Sequence, residues 1–240
     1  MKAVVLNAQR RHELCDLPDP DPAAGQVLVR PHYCGICGSD LHAEQIDMFR
    51  TGVVQGHEFA GEIVALGPGV EGWSVGQRVT ANPNGKVCGR CRFCREGRYN
   101  LCHVATHDNP LGVAQDGGMA ELVALDTAYL HALPDSLSTR LGAWTEPLAV
   151  AQRAVRTSPL RICNSVAVIG GGPVGQLVLQ LARRAGAARV LMVEPSEFRR
   201  RTAERLGADE TITPAEASAR LAAGELAEVD HVLECSGHET

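Results

Sequence analysis

A chain of 240 residues is long enough for one large domain or two modest ones, each burying its own core. Its hydrophobic share of 45% and charged share of 21% are ordinary for a globular protein. The formal net charge of −5 argues against nucleic acid as a main partner, because phosphate binding needs a basic surface.

The apolar run at 3–6 stops at Asn7, too short for a signal-peptide core, and no run approaches a membrane span. A cytoplasmic, reducing location is therefore expected, with no membrane partner. There the nine cysteines read as metal ligands or buried thiols before they read as disulfides. Residues 1 to about 140 carry short β-type runs at 26–30 (QVLVR), 62–66 (EIVAL) and 77–80 (QRVT). Turn formers such as Gly67-Pro68-Gly69 and Asn82-Pro83-Asn84-Gly85 bound them, which predicts a β-rich, barrel-like domain. From about Leu141 the texture changes to helical spacing over 148–155. A strand at 165–169, a helix at 174–185, a strand at 189–194 and a helix at 197–206 follow. A strand at 211–213, a helix at 215–222 and a strand at 230–235 complete the series. Strands alternating with helices at this pitch predict βαβ units on a parallel sheet.

The strand ending at Ile169 leads into Gly170-Gly171-Gly172-Pro173-Val174-Gly175, which fits GxGxxG, and a helix follows. Gly170 permits the tight turn, Gly172 lets the backbone approach a pyrophosphate, and Gly175 lets helix and strand pack closely. Alone the pattern is weak. Here Glu194 ends the next strand nineteen residues beyond Gly175, where an acid would accept hydrogen bonds from the adenosine ribose. Glu194 would repel a 2′-phosphate, which favours NAD over NADP. Arg199 and Arg200 either hold such a phosphate or stand solvated on their helix.

Cys88, Cys91, Cys94 and Cys102 form C-x2-C-x2-C-x7-C, the donor set of a tetrahedral metal site. An iron–sulfur cluster would place the fourth cysteine at x3 before a proline, or far away. A closed structural zinc site is preferred, since four protein ligands leave no open position for chemistry. A second, catalytic zinc site needs three protein ligands and one open place. Cys37 and His57 are two candidates, with a carboxylate to complete the set. Cys15, Cys34, Cys163 and Cys235 receive no role. His12, His32, His107, His131, His231 and His238 read as surface or loop residues.

With these motifs together, the chain resembles the zinc-containing medium-chain dehydrogenase/reductase family, in its sorbitol, threonine and butanediol dehydrogenase branch. The matching segments are GICGSDLH (35–42), GHEFAGEIVALGPGV (56–70), the four-cysteine lobe, TEPLAV (145–150) and VIGGGPVG (168–175). The resemblance implies a mixed α and β fold: a GroES-like catalytic domain over 1–150 and a Rossmann-type doubly wound sheet over 151–240. It implies two zinc ions, one catalytic and one structural, and hydride transfer from a secondary alcohol or polyol to NAD. Cys37 and His57 match catalytic zinc ligands, and Glu58 matches a carboxylate at or near that zinc. Glu146 stands where some alcohol dehydrogenases place a second ligand cysteine, so Glu58 and Glu146 both remain candidates for the third ligand. Ser39 and His42 match a proton relay, and Val174, Glu194 and Arg199 match positions that contact NAD. The full-length form is expected to be a homo-oligomer acting on a small-molecule alcohol.

The chain departs from the family in strand count. Four nucleotide-domain strands are predicted, where a dinucleotide fold has six in the order 3-2-1-4-5-6. From this, poor solubility and weak activity of the 240-residue chain are expected, with the fourth strand leaving an apolar edge. A remnant that binds zinc and nucleotide without turnover is the competing expectation. A zinc-free quinone reductase is disfavoured, because it would not need the four-cysteine lobe.

Overall fold

The N-terminal apolar run lies in a hairpin, Lys2–Leu6 (β1) paired antiparallel with His12–Asp16 (β2). The computed structural model describes residues 1–237. Strand Gln26–Gly35 (β3) buries Val27 and Val29 on one face, the period-2 pattern of a half-buried strand. A short helix, Gly38–His42 (α1), separates it from its partner Glu58–Leu66 (β4). Arg78–Ala81 (β5), the helical turn Arg92–Arg95 (α2), Val123–Asp126 (β6), Leu130–Ala132 (β7) and Thr139–Gly142 (α3) follow.

These strands form an antiparallel sheet in the order β6-β3-β4-β5-β7. The end strands β6 and β7 are joined only by the 3-10 turn Thr127–Tyr129. Four steps of chain reach at most about 14 Å. A flat five-stranded sheet is about 19 Å across at about 4.8 Å per strand gap. The sheet must therefore curl until its edges approach, which is the barrel-like form the turn spacing predicts. Val27, Val29, Phe59, Ile63, Val79, Leu125 and Leu130 fill its inside. Where Pro31 lacks a donor, the β3–β4 register slips, and the irregularity delivers Gly35 opposite Glu58.

A second unit is built on a parallel sheet. Thr145–Thr157 (α4) leads to Ser165–Ile169 (β8), Pro173–Arg184 (α5), Arg189–Val193 (β9), Glu197–Arg205 (α6), Glu210–Ile212 (β10), Pro214–Ala223 (α7) and His231–Glu234 (β11). The strand order β10-β9-β8-β11 is third, second, first, fourth along the chain, the doubly wound arrangement. On one face Val166, Val168, Val190 and Met192 pack with Ala151, Val155, Val178, Leu179 and Ala182. On the other, Ala167, Leu191, Val193 and Ile212 pack with Ala217, Leu226 and Val229. Strand β11 pairs only with β8 among the described residues, and it alternates half-buried and exposed positions. The chain falls into two compact units, one over Met1–Glu146 and one beginning at Pro147.

The helix limits follow local chemistry. Pro173 opens α5 after Gly172, and the Thr213/Glu216 capping box opens α7, whose end is set by Gly224 at φ 69°. His12, His32, His131 and His231 occupy strand positions rather than loops, and His107 lies in a short π-helical turn. His238 lies outside the described residues. No helix among the described residues is long and apolar enough to cross a membrane.

Candidate functional site

The lobe between β5 and β6 gathers its four cysteines through local backbone geometry. Gly89 and Gly97 adopt φ of 68° and 70°, which lets the chain reverse around them. The Cys88 N–H donates to Cys102 Sγ (3.4 Å), the Cys91 N–H to Cys88 Sγ (3.3 Å) and the Cys94 N–H to Cys91 Sγ (3.4 Å). Amides aimed at sulfur favour thiolate: backbone N–H groups of Cys88 and Ala105 pull Cys102 down to about 6. All four ligand atoms lie within 4.8 Å of one another, with Sγ separations of 3.9 Å for Cys88–Cys94 and 3.5 Å for Cys91–Cys94. A tetrahedron with metal–sulfur bonds of about 2.3 Å has edges of about 3.8 Å, so the spacing fits zinc. A disulfide, at about 2.05 Å, it does not fit.

The second cluster is assembled by strand pairing. Gly35 ends β3 opposite Glu58, the first residue of β4, and His57 directly precedes it. A Cβ on Gly35 would meet Glu58 Oε2, so a larger residue there would push that carboxylate from its present place. Cys37 caps α1, where its N–H donates to Asp40 Oδ2 (2.9 Å). The donor atoms of Cys37, His57 and Glu58 lie within 4.8 Å of one another. Glu146, on the first turn of α4, is not in that tight set, although its charge acts on His57.

Charge in this cluster is unbalanced. Burial pushes Asp40, Glu58 and Glu146 above the usual carboxylate range, and neighbouring acids push Glu58 and Glu146 further. Burial pulls the His57 imidazole down, but Cys37, Asp40 and Glu146 outweigh it and hold it at about 9. Burial also pushes the neighbouring Cys34 thiol up to about 12, which makes it a neutral packing group. His57 Nδ1 and Asp40 Oδ1 are buried 3.5 Å apart, and neither makes a full hydrogen bond. A thiol beside an imidazole and crowded carboxylates, the latter two pushed up as though short of positive charge, fits a divalent cation of zinc's preferences. Asp40 was not singled out from the sequence. Its signal is the spacing C-x-x-D, a helix cap whose N3 carboxylate reaches back to the cap N–H. Ser39 is half-buried and His42 exposed one turn later on α1, with no hydrogen bond between their side chains.

In the second unit, Gly170 turns at φ 95°, and a Cβ on Gly175 would overlap the Gly170 carbonyl, so helix and turn pack as closely as the motif requires. Gly170, Gly172, Glu194 and Arg199 line one cavity of about 350 Å³. Val174 instead packs against the hydrophobic core. The buried Glu194 carboxylate accepts the Gly171 N–H (2.6 Å) and the Ser196 N–H (2.9 Å). Arg199 Nη1 stands 3.8 Å from its Oε1.

Two family models match the chain: the alcohol dehydrogenase GroES-like domain over residues 23–135 and the zinc-binding dehydrogenase model over 173–240. A sorbitol dehydrogenase of Halalkalibacterium halodurans is 38% identical over 225 residues, covering 92% of this chain and 65% of its own length. The chain thus spans about two-thirds of that curated relative. Two solved structures are also similar. One, described as a zinc-binding dehydrogenase of Sinorhizobium meliloti 1021 bound to NADP, has TM-score 0.89 and 35% identity, over 99% of this chain and 70% of that one. The other, 2R,3R-butanediol dehydrogenase of Bacillus subtilis, has TM-score 0.82 and 34% identity, over 98% of this chain and 70% of that one. With both family models in order along one sequence and the fold shared almost end to end, the chain belongs to the zinc-binding alcohol dehydrogenase family.

Proposed function

We propose that this chain carries the metal centre and nucleotide site of an oxidoreductase that takes hydride from a secondary alcohol or polyol to NAD. The observation that carries the reading is the convergence of Cys37, His57 and Glu58 donor atoms within 4.8 Å in a pocket too rich in carboxylates for its own cations. Cys37 and His57 would hold a zinc ion there, with Glu58 or Glu146 as the third ligand. Cys88, Cys91, Cys94 and Cys102 would hold a second, structural one. A zinc ion so held would make the substrate hydroxyl more acidic, and NAD would supply the hydride acceptor.

The chain's own groups do the rest. Asp40 Oδ1 stands 3.5 Å from His57 Nδ1, where a small approach would orient the ring and leave Nε2 to ligate, a carboxylate–histidine arrangement that raises ligand basicity. The Ser39 hydroxyl takes the substrate proton, and the exposed His42 passes it on to water. Gly170, Gly172 and the N-terminus of α5 receive the pyrophosphate. Glu194 has one lone pair left on each oxygen for the ribose hydroxyls, and its negative charge disfavours a 2′-phosphate. NAD is therefore preferred, although a relative binds NADP. Sorbitol and 2,3-butanediol are the substrates to test first, because relatives are named for them.

Cys37→Ser is the deciding variant. The purified chain is expected to hold two zinc ions and to oxidise one of these alcohols with NAD, if only weakly over these 240 residues. Cys37→Ser should keep the fold by circular dichroism, lose one zinc and lose turnover by more than about a thousandfold, the scale of a lost Lewis acid. Normal turnover by the variant would end the assignment.

A further inference from the structure

The glycine turn and helix α6 are tied together by a side chain that the motif reading passes over. Gln176 stands in the first turn of α5, and its Nε2 donates to Gly171 O (3.0 Å) and to Arg199 O (2.9 Å). Both partners are carbonyls, so the amide can be oriented only one way, with its NH₂ between them. Its Oε1 is shielded from solvent and has no partner, so the side chain is held by the two donor bonds alone.

The peptide of Gly171 is thereby gripped at both ends: its N–H goes to Glu194 Oε2 and its carbonyl to Gln176. The same amide fixes the backbone of Arg199, whose side chain faces Glu194 across the cavity wall. Helix α6 has no side-chain cap of its own at Ser196; Arg200 Nη1 ties its first turn back to the Glu194 and Pro195 carbonyls, and the Gln176 tether joins that turn to α5. At the other ends of the two helices, Arg183 Nε donates to Gly207 O (2.8 Å), an independent clamp. Losing Gln176 would free the cavity end while the far end stays docked.

We infer that Gln176 is a positioning residue for nucleotide selection: it holds the glycine turn, Glu194 and Arg199 in the geometry that prefers an unphosphorylated adenosine ribose over one bearing a 2′-phosphate. This rests on the reading of the cavity as a nucleotide site. Glu194 works through short directional bonds to a ribose diol, which tolerate little displacement. A 2′-phosphate is attracted by Arg199 and Arg200 as charge, which tolerates more. Loosening the turn should therefore weaken the first ligand more than the second.

The probes are ADP-ribose and its 2′-phosphate, titrated calorimetrically into the purified chain, which avoids any need for turnover. The wild type is expected to prefer ADP-ribose. Gln176→Met, which keeps the length and removes the donors, should weaken ADP-ribose by about fivefold to tenfold, the range of one net hydrogen bond. It should leave the phosphorylated probe within about twofold, so that the preference shrinks, a change that a purely structural role would not produce. Gln176→Leu, which also lacks the N–H and adds no charge, carries the same test should the methionine variant fail to fold. Unchanged selectivity in a folded variant overturns the role of Gln176 while leaving the nucleotide reading intact. A wild type that binds neither probe overturns both.

Discussion

The acids around Cys37 and those of the parallel-sheet unit are shifted in opposite directions. Asp40, Glu58 and Glu146 are pushed up by burial and by one another. Glu210 is pulled down by Arg220 and Arg189, Glu216 by the Thr213 N–H, and Asp230 by the Ser165 N–H. Asp209 is pulled down too: burial works against it, but the Val190 N–H and Arg183 prevail. The second group is complete within the chain, each carboxylate having found a cation or an amide. The first group gathers negative charge that the chain does not neutralise. An arrangement that opposes folding and persists is the mark of a site kept for chemistry rather than for stability.

The largest test of this contrast removes a metal. Cys102→Ser deletes a ligand of the four-cysteine lobe, and structural zinc sites contribute several kcal/mol to the folds they close. Amide exchange should lose protection across 85–108, while the β8 and β9 amides keep theirs. Retained protection in the lobe would show that the cysteines merely pack. A smaller effect separates function from stability at Glu146. In metal-stripped protein its raised pKa makes the ionised form a burden above the ordinary glutamate value of 4.5, so stability falls as pH rises. Glu146→Gln should then melt higher at neutral pH, by about 2–4 °C for a gain near 1 kcal/mol. With zinc loaded the sign should reverse. The same sign in both states would remove Glu146 from the metal site.

Much of this was legible in the sequence because it is local. The C-x2-C-x2-C-x7-C spacing needs only tight turns at Gly89 and Gly97 to bring its sulfurs together, and β8 runs over 165–169, where the glycine motif placed it. From β8 onward the helix and strand limits moved by one residue or so, set by caps such as Gly224. What stayed hidden depends on pairs far apart in sequence. Asp40 matters because β3 and β4 pair and bring His57 to it. Gln176 matters because α6 packs beside α5 and offers the Arg199 carbonyl. Neither neighbour is written in a window of ten residues. Glu146 shows the same limit from the other side: its place in the motif was visible, but not its distance from the tight ligand set.

The smallest expected effect comes from the completed acids. Glu210 bridges two strands and a helix through Arg189 Nη2 at 2.7 Å and Arg220 Nη1 at 2.5 Å, with each side chain about 30% exposed. Solvent screening limits such pairs to about 1 kcal/mol or less. Because the folded-state pKa lies below the ordinary glutamate value of 4.5, the contribution is full above that value and fades as pH falls through the depressed one. Glu210→Gln should thus lower the melting temperature by no more than about 2 °C at pH 7 and by progressively less below pH 4.5, until the two curves meet in acid. Opposite pH slopes for Glu210→Gln and for metal-free Glu146→Gln would establish the two kinds of carboxylate directly. Parallel slopes would mean that burial, not the arrangement of partners, governs both.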